Sequence, residues 1–233
     1  MGCTSAPTDP EKLMQARQSM RELSEFRRAP DNRFVADYTS AVPSRELWDH
    51  PRLSSLFEDT GRPLSNPLPE ALADWTFRHD PADRGVKEEW YKGAPDGDQW
   101  KPIKVPAFWG KTEKGDYLLG HGWCRAKFAV PEKWRGRPVH FLFGAVDEQA
   151  WVYVNGKATG EHTAKSHGVS IDQLWDKPFS IEVKPGWLKY GEKNLLVVRV
   201  HNSAFNGGIW KPVKGGLLTP DEKAGLDKIA QFF

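Results

Sequence analysis

The stretch EQAWVYVNGKATGEH (148–162) constrains the fold of this chain more than any other. Tryptophan, tyrosine and valine crowd 151–154, the composition of a strand that packs on a pleated surface. Asn155-Gly156 follows, and then a second extended run. Asn-Gly accepts the two positive φ angles of a type I′ turn, whose twist matches that of the strands it joins. The unit is predicted to be a β-hairpin, with Asn155 present for backbone geometry rather than as a ligand. Runs of similar length surround it. WCRAKFAV (123–130) alternates and stops at Pro131, and PVHFLFGAV (138–146) is almost continuously apolar, as in a central strand. PFSIEV (178–183) and NLLVVRVHN (194–202) add two more, and GIWKPV with GGLL closes the set. Many short strands bounded by Gly, Pro, Asn and Asp, with no helical pattern between them, predict a mainly β chain built as an antiparallel β-sandwich.

The N-terminal part reads differently. After a tail over 1–8, the segment TDPEKLMQARQSMRELSEFRR predicts a helix capped by Thr8 or Asp9, with Pro10 in its first turn. Leu13, Ala16, Met20, Leu23 and Phe26 form one apolar stripe, and Pro30 stops it. Residues 31–74 are Pro-rich and poorly periodic, a connecting arm. The expected division is therefore 1–74, a helical extension, and 75–233, the sandwich with a short C-terminal tail. A chain of 233 residues accommodates this as one large domain and an extension.

Hydrophobic residues make up 39% and charged residues 27%, and the net charge is +2. That balance fits a folded globular protein and offers no basic stripe for nucleic acid or an anionic membrane. No run of about 20 apolar residues is present to span a bilayer. The departure is tryptophan, 11 against three methionines. An indole is a flat platform with a polar edge, and sugars carry apolar C–H faces ringed by hydroxyls. The enrichment points to carbohydrate, although most of the indoles are expected in the core. Two cysteines, Cys3 and Cys124, exclude a disulfide framework and a four-cysteine zinc site. MGCTSAP resembles the start of a mature bacterial lipoprotein. An exported chain, periplasmic or at the outer surface and tied to a membrane only through a lipid on Cys3, is expected; a cytoplasmic N-terminus is the alternative.

The ordered series GWCRAKFAVPEKWRGRPVHFLFGAVDEQAWVYVNGKATGEH, then Pro178-Phe179, then GEKNLLVVRVHN, then Gly207-Gly208-Ile209 resembles the sugar-binding domain of glycoside hydrolase family 2, the β-galactosidase and β-glucuronidase group. The carrying pieces are Trp123-Cys124-Arg125, Val130-Pro131, Trp134-Arg135-Gly136-Arg137, Val152-Tyr153-Val154-Asn155-Gly156 and Gly160. The resemblance runs over roughly 75–218 and implies a jelly-roll sandwich of the galactose-binding-like type. Cys124 stands where a tyrosine is usual and is expected as a small buried hydrophobe. In that family a separate (β/α)₈ barrel carries the two catalytic glutamates. Fifteen residues follow Leu218, against about 250 for a barrel, so a chain without that machinery is expected.

Glycoside hydrolysis needs two carboxyl groups about 5–10 Å apart across the scissile bond. Asp147 with Glu148, and Glu88 with Glu89, are sequence neighbours that a strand would send to opposite faces; a distant pairing such as Glu89 with Asp147 is left open. No Gly-x-Ser-x-Gly elbow, P-loop or Gly-x-Gly-x-x-Gly occurs. No cofactor is expected, with one alternative: a structural calcium held by the loop APDGDQW (94–100) or by Asp147 and Glu148. A zinc site from His162 and His167 has no neighbouring acidic or cysteine ligand except Glu161 and is not expected. The expected sugar site lies where loops meet at one end of the sandwich. Trp123 and Trp210 are the first stacking candidates, Asn202 and Asn206 the hydroxyl partners; Asp147, Glu148 and His167 come next, and Trp90 and Trp109 are further platforms. In the resembling enzymes the position of Asn202 lies near the barrel's active site. The leading expectation is a non-catalytic protein that binds oligosaccharide or polysaccharide and assists glycan degradation. The alternatives are a scaffold that docks a separate catalytic hydrolase chain, and a hydrolase with an unrecognised carboxylate pair.

Overall fold

The computed structural model describes residues 64–70, 72–93, 99–112 and 114–230. The expected N-terminal helix, Cys3 and the acidic loop at 94–98 lie outside the described residues. Among the described residues there are ten strands: β1 (Asn66–Pro67), β2 (Thr76–Asp80), β3 (Lys101–Pro102), β4 (Gly120–Ala129), β5 (Val139–Phe143), β6 (Gln149–Val154), β7 (Lys157–His162), β8 (Phe179–Val183), β9 (Lys193–Asn202) and β10 (Val213–Leu217). A short helix α1 (Ala164–His167) follows β7, and α2 (Pro220–Ala230) follows β10. The strands form two antiparallel sheets, ordered β1-β10-β5-β8 and β3-β2-β4-β9-β6-β7. This is the sandwich that the strand pattern predicts.

The pleat sorts the residues. Cys124, Ala126 and Phe128 of β4, Leu196, Val198 and Val200 of β9, and Ala150, Val152 and Val154 of β6 are all buried on the inner face of the larger sheet. They meet Val139, Phe141 and Phe143 of β5, Phe179, Ile181 and Val183 of β8, and Leu217 of β10. Two aromatic layers are explicit: Phe128 on Phe141 edge to face, and Phe143 stacked on Phe179 at 4.7 Å. Burying a side chain of this size stabilises by about 1.5–3 kcal/mol, so this layer is what holds the sheets together. Cys124 is buried as expected, and burial pushes its thiol up to about 12.

The hairpin forms at the predicted place. Asn155 and Gly156 take φ of 49° and 78°. The Asn155 side chain does more than turn the chain: its Nδ2 donates to Trp187 O and Asn194 Oδ1, and its Oδ1 accepts from Leu195 N. The smaller sheet includes residues ahead of the boundary expected at 74/75. Asn66 and Pro67 already pair with β10, and Leu64 and Leu68 are buried. A two-residue strand among prolines has too little period to be recognised from sequence. The short C-terminal tail carries the helix α2, tied to the start of the sandwich by Glu222, which accepts from Ser65 N and Oγ.

The outer face of the larger sheet is covered in part by the segment after β2. Trp90 and Trp100 pack with Trp123 and Val197, and Arg78 and Arg125 lie over the Trp90 and Trp100 rings.

Candidate functional site

The register gathers four connections at one end of the sandwich. His201 pairs with both His121 and Gln149, Ala150 with His162, and Phe143 with both Phe179 and Val213. The segment before β4, the β5–β6 loop (144–148), the β7–β8 connection (163–178) and the β9–β10 loop (203–212) therefore meet there. Main-chain bonds stitch them: Ala107 N to Ile209 O, Trp109 N to Gly207 O, Asp147 N to Gly208 O and Gly144 N to Pro212 O, all 2.7–2.9 Å. Gly208 has φ of 132°, and a Cβ on it would fall 2.9 Å from Trp109 Cδ1 and 3.0 Å from Ala107 O. Gly208→Ala combines a disfavoured backbone with a clash against main chain, and a loss of about 2–3 kcal/mol in urea unfolding is expected.

Beyond Gly208, Ile209 enters the core and Trp210 turns outward, half-exposed, as strict alternation requires. Trp210 is not a bare platform. It is the middle of a three-ring ladder, stacked with Phe108 at 5.4 Å and 11° and with Trp175 at 5.5 Å and 17°. Its Nε1 donates to Trp175 O at 2.7 Å. Lys211 Nζ lies 4.7 Å from its ring centroid. Phe108 and Trp175 are also half-exposed, so the ladder presents an aromatic rim built from three separate loops. The next residue, Asp176, carries a carboxyl whose pKa burial raises against the opposing pull of Lys211 and Lys177. Burial likewise lowers the Lys177 pKa, with Asp176 acting the other way. An aromatic ladder, a desolvated carboxyl and two ammonium groups thus converge at the loop end.

Several residues expected to face a ligand are inside. Trp123 is fully buried and its Nε1 donates to Asp80 Oδ2, so it is a layer of the protein and not an open platform. Trp90 and Trp109 are buried as well. Asn202 is completely buried; it donates to Leu118 O and Phe205 O and accepts from Ala204 N, which shapes the β9–β10 loop from within. Asp147 and Glu148 precede β6, are joined by a cis peptide bond, and are both completely buried. Glu148 accepts from Ser203 N and Oγ. Both carboxyls are enclosed by protein, and Glu89 pairs with Lys92. Among the described residues no three His, Cys, Asp or Glu side chains come together to hold a metal ion.

Three predicted residues are at the rim: Trp210, Asn206 and His167. The Asn206 side chain makes no hydrogen bond among the described residues. His167 instead pairs with His162 (Nε2 to Nδ1, 2.8 Å), whose ring stacks on Phe179 at 4.2 Å. Burial first, then His167 and Lys177, pull the His162 pKa down to about 3. Phe108, Trp175 and Asp176 were missed by sequence reasoning. A signal for Trp175 existed, because Trp175-Asp176-Lys177-Pro178 parallels Trp210-Lys211-Pro212, each a tryptophan just ahead of Lys-Pro where a strand begins.

The described residues thus form a two-sheet sandwich with a half-exposed aromatic rim at its loop end. No protein-family model matches the chain. By sequence it is 29% identical over 136 residues to a β-glucuronidase of Bacteroides fragilis, covering 52% of this chain and 18% of that enzyme. It is 29% identical over 142 residues to a β-glucuronidase of Formosa agariphila, covering 51% and 13%. A β-galactosidase of Thermoanaerobacter pseudethanolicus is 35% identical over 79 residues. Among solved structures, the β-glucuronidase of Ruminococcus gnavus shares the fold with a TM-score of 0.55 at 19% identity, over 71% of this chain and 30% of that one. The sandwich is thus related to part of the β-glucuronidases of glycoside hydrolase family 2. This chain spans less than a fifth of the length of these curated β-glucuronidases.

Proposed function

We propose that this chain is a carbohydrate-binding module that assists glycan degradation, with the ligand held at the loop end of the sandwich. The observation that carries this reading is the Phe108–Trp210–Trp175 ladder with Asp176 beside it. Its rings offer surface to the C–H face of a pyranose, and the half-buried Asp176 side chain offers oxygens that accept from hydroxyls. The kinship with β-glucuronidases and a β-galactosidase supports a sugar as the ligand. Isothermal titration over neutral and acidic oligosaccharides tests it. Trp175→Ala and Asp176→Asn are each expected to weaken binding by about tenfold or more, equivalent to about 1.4 kcal/mol. Silence of the wild-type chain across the panel, or an unchanged Kd in both folded variants, refutes the assignment.

A second reading has its own support. In the β-glucuronidases the matched stretch is a minor part of a much longer chain, so the same rim suits docking on a separate catalytic hydrolase. Co-elution with a family 2 catalytic barrel, abolished by Trp210→Ala, distinguishes this from direct sugar binding. Anchoring through a lipid on Cys3 belongs to the same proposal. Mass spectrometry of the protein made from its full-length gene in its native host is expected to show an acylated Cys3, and an unmodified thiol rejects it.

A further inference from the structure

A second cluster lies away from the ladder, on the outer face of the larger sheet. β9 sends Arg199 and His201 to that face, β4 sends His121 opposite His201, and β6 places Trp151 between Arg199 and the Glu161 of β7. Asp83 reaches in from the turn after β2, where it holds φ of 50°. The Arg199 guanidinium lies 4.4 Å from the Trp151 ring centroid. Its Nη2 donates to Asp83 Oδ1 at 2.7 Å and to His121 Nε2 at 2.8 Å. Arginine cannot accept, so His121 carries its proton on Nδ1, which faces Asp83 Oδ1 at 3.3 Å. The His121 and His201 rings are 4.8 Å apart.

What this network leaves unused matters most. Trp151 is half-exposed, and its indole N–H makes no hydrogen bond among the described residues. The Asp83 carboxylate is 49% exposed and spends only Oδ1 on its neighbours, leaving Oδ2 open among the described residues. An indole held by a stacked cation, with an unspent N–H donor and an unspent carboxylate acceptor nearby, complements a pyranose face and hydroxyls that both donate and accept. The charges narrow the ligand. Arg199 is matched by Asp83, and Glu161 adds a second negative charge opposite Trp151. A uronate or sulfated sugar meets repulsion here, in contrast to the loop end with Lys177 and Lys211.

We propose that this face is a second saccharide-binding surface, specific for a neutral hexopyranose unit, with Trp151 as the stacking and N–H-donating group and Asp83 as the hydroxyl acceptor. Arg199 and His121 are positioning residues that hold the indole and the carboxylate. The proposal uses none of the residues of the loop-end ladder and stands or falls separately from it.

Neutral oligosaccharides of galactose, glucose and mannose, titrated calorimetrically against wild type and variants, test it. Trp151→Ala is expected to weaken neutral-glycan binding by about tenfold or more, and Asp83→Asn by roughly three- to tenfold, while Trp175→Ala leaves this site intact. Melting curves check folding. Should Trp151→Ala fail to fold, Asp83→Asn decides, because its amide oxygen still accepts from Arg199. The proposal is overturned by a wild-type chain that binds no neutral glycan, by folded Trp151→Ala and Asp83→Asn variants with unchanged neutral-glycan isotherms, or by a site that takes only uronic oligosaccharides. Binding lost in Trp175→Ala but intact in Trp151→Ala keeps the loop-end reading and rejects this one; the reverse pattern does the opposite.

Discussion

Asp80→Ala is expected to remove about 3 kcal/mol of stability, a large share of the 5–15 kcal/mol that typical domains possess. The carboxylate is almost completely buried at the end of β2. It accepts from Arg84 N and Gly85 N, both at 2.8 Å, and from Trp123 Nε1 at 3.0 Å. Alanine leaves the Gly85 amide and the Trp123 indole as buried donors without an acceptor, each costing about 1–3 kcal/mol. The same side chain roots the turn that carries Asp83 and the segment that brings Trp90 over the sheet. Burial alone raises the Asp80 pKa, but the bonds from Gly85, Arg84 and Trp123 outweigh it and the net shift is downward. Its contribution is therefore present at neutral pH and is lost as the pH falls through its depressed folded pKa. Urea unfolding followed by tryptophan fluorescence measures the effect. Asp80→Asn is expected to fall between the two, since the amide keeps one acceptor oxygen.

The second large effect is acid destabilisation well above the carboxylate range. Burial holds His162 near 3 and, together with Arg199, holds His121 near 4, against about 6.5 unfolded. Burial also lowers His140, His167 and His201. These groups are neutral in the folded chain, so the unfolded chain binds more protons below about 6.5. Stability is thus complete above that value and falls as the pH drops through the window from 6.5 toward 4 and 3. For the buried His162 the slope is about 1.4 kcal/mol per pH unit. Moving from pH 7 to pH 5 is expected to lower the melting temperature by roughly 4–8 °C from this residue alone. Asp176, whose pKa is raised, acts in the opposite direction. His162→Phe retains a ring on Phe179 and removes the titrating group, so its melting temperature is expected to depend less on pH than that of wild type. Equal slopes for the two proteins contradict the assignment.

The sandwich was legible in the sequence because period and punctuation act locally. Asn155-Gly156 forms its turn, and the apolar runs become strands whose inner residues fill the core, except GIWKPV, which lies in the β9–β10 loop up to Pro212. The site was legible only in part, for two physical reasons. Alternation tells which side of a strand a residue occupies but not what covers that side. Trp123 does point away from the core, yet Trp90 and Trp100 form a further layer over it, so a residue read as exposed is buried. Loops carry no period at all. Asn202, Asp147 and Glu148 are polar and lie near the rim, but they turn inward, Asn202 and Glu148 accepting from loop amides, while Trp175 and Asp176 stand in a connection that offers only the Trp-Asp-Lys-Pro signal. Trp210 was placed correctly by alternation with Ile209; that it would be flanked by Phe108 and Trp175 depended on loops far apart in sequence.

The central claim is that sugar meets the loop-end ladder, and its most direct measurement is a ¹H–¹⁵N titration of the tryptophan indole signals with a glycan panel. The signals of Trp175 and Trp210 are assigned from the Trp175→Phe and Trp210→Phe variants. At saturating glycan these two are expected to move, while Trp123 and Trp109, buried among the sheets, stay in place. Indole signals that remain still with every glycan at millimolar concentration, or that move everywhere except at Trp175 and Trp210, contradict the account.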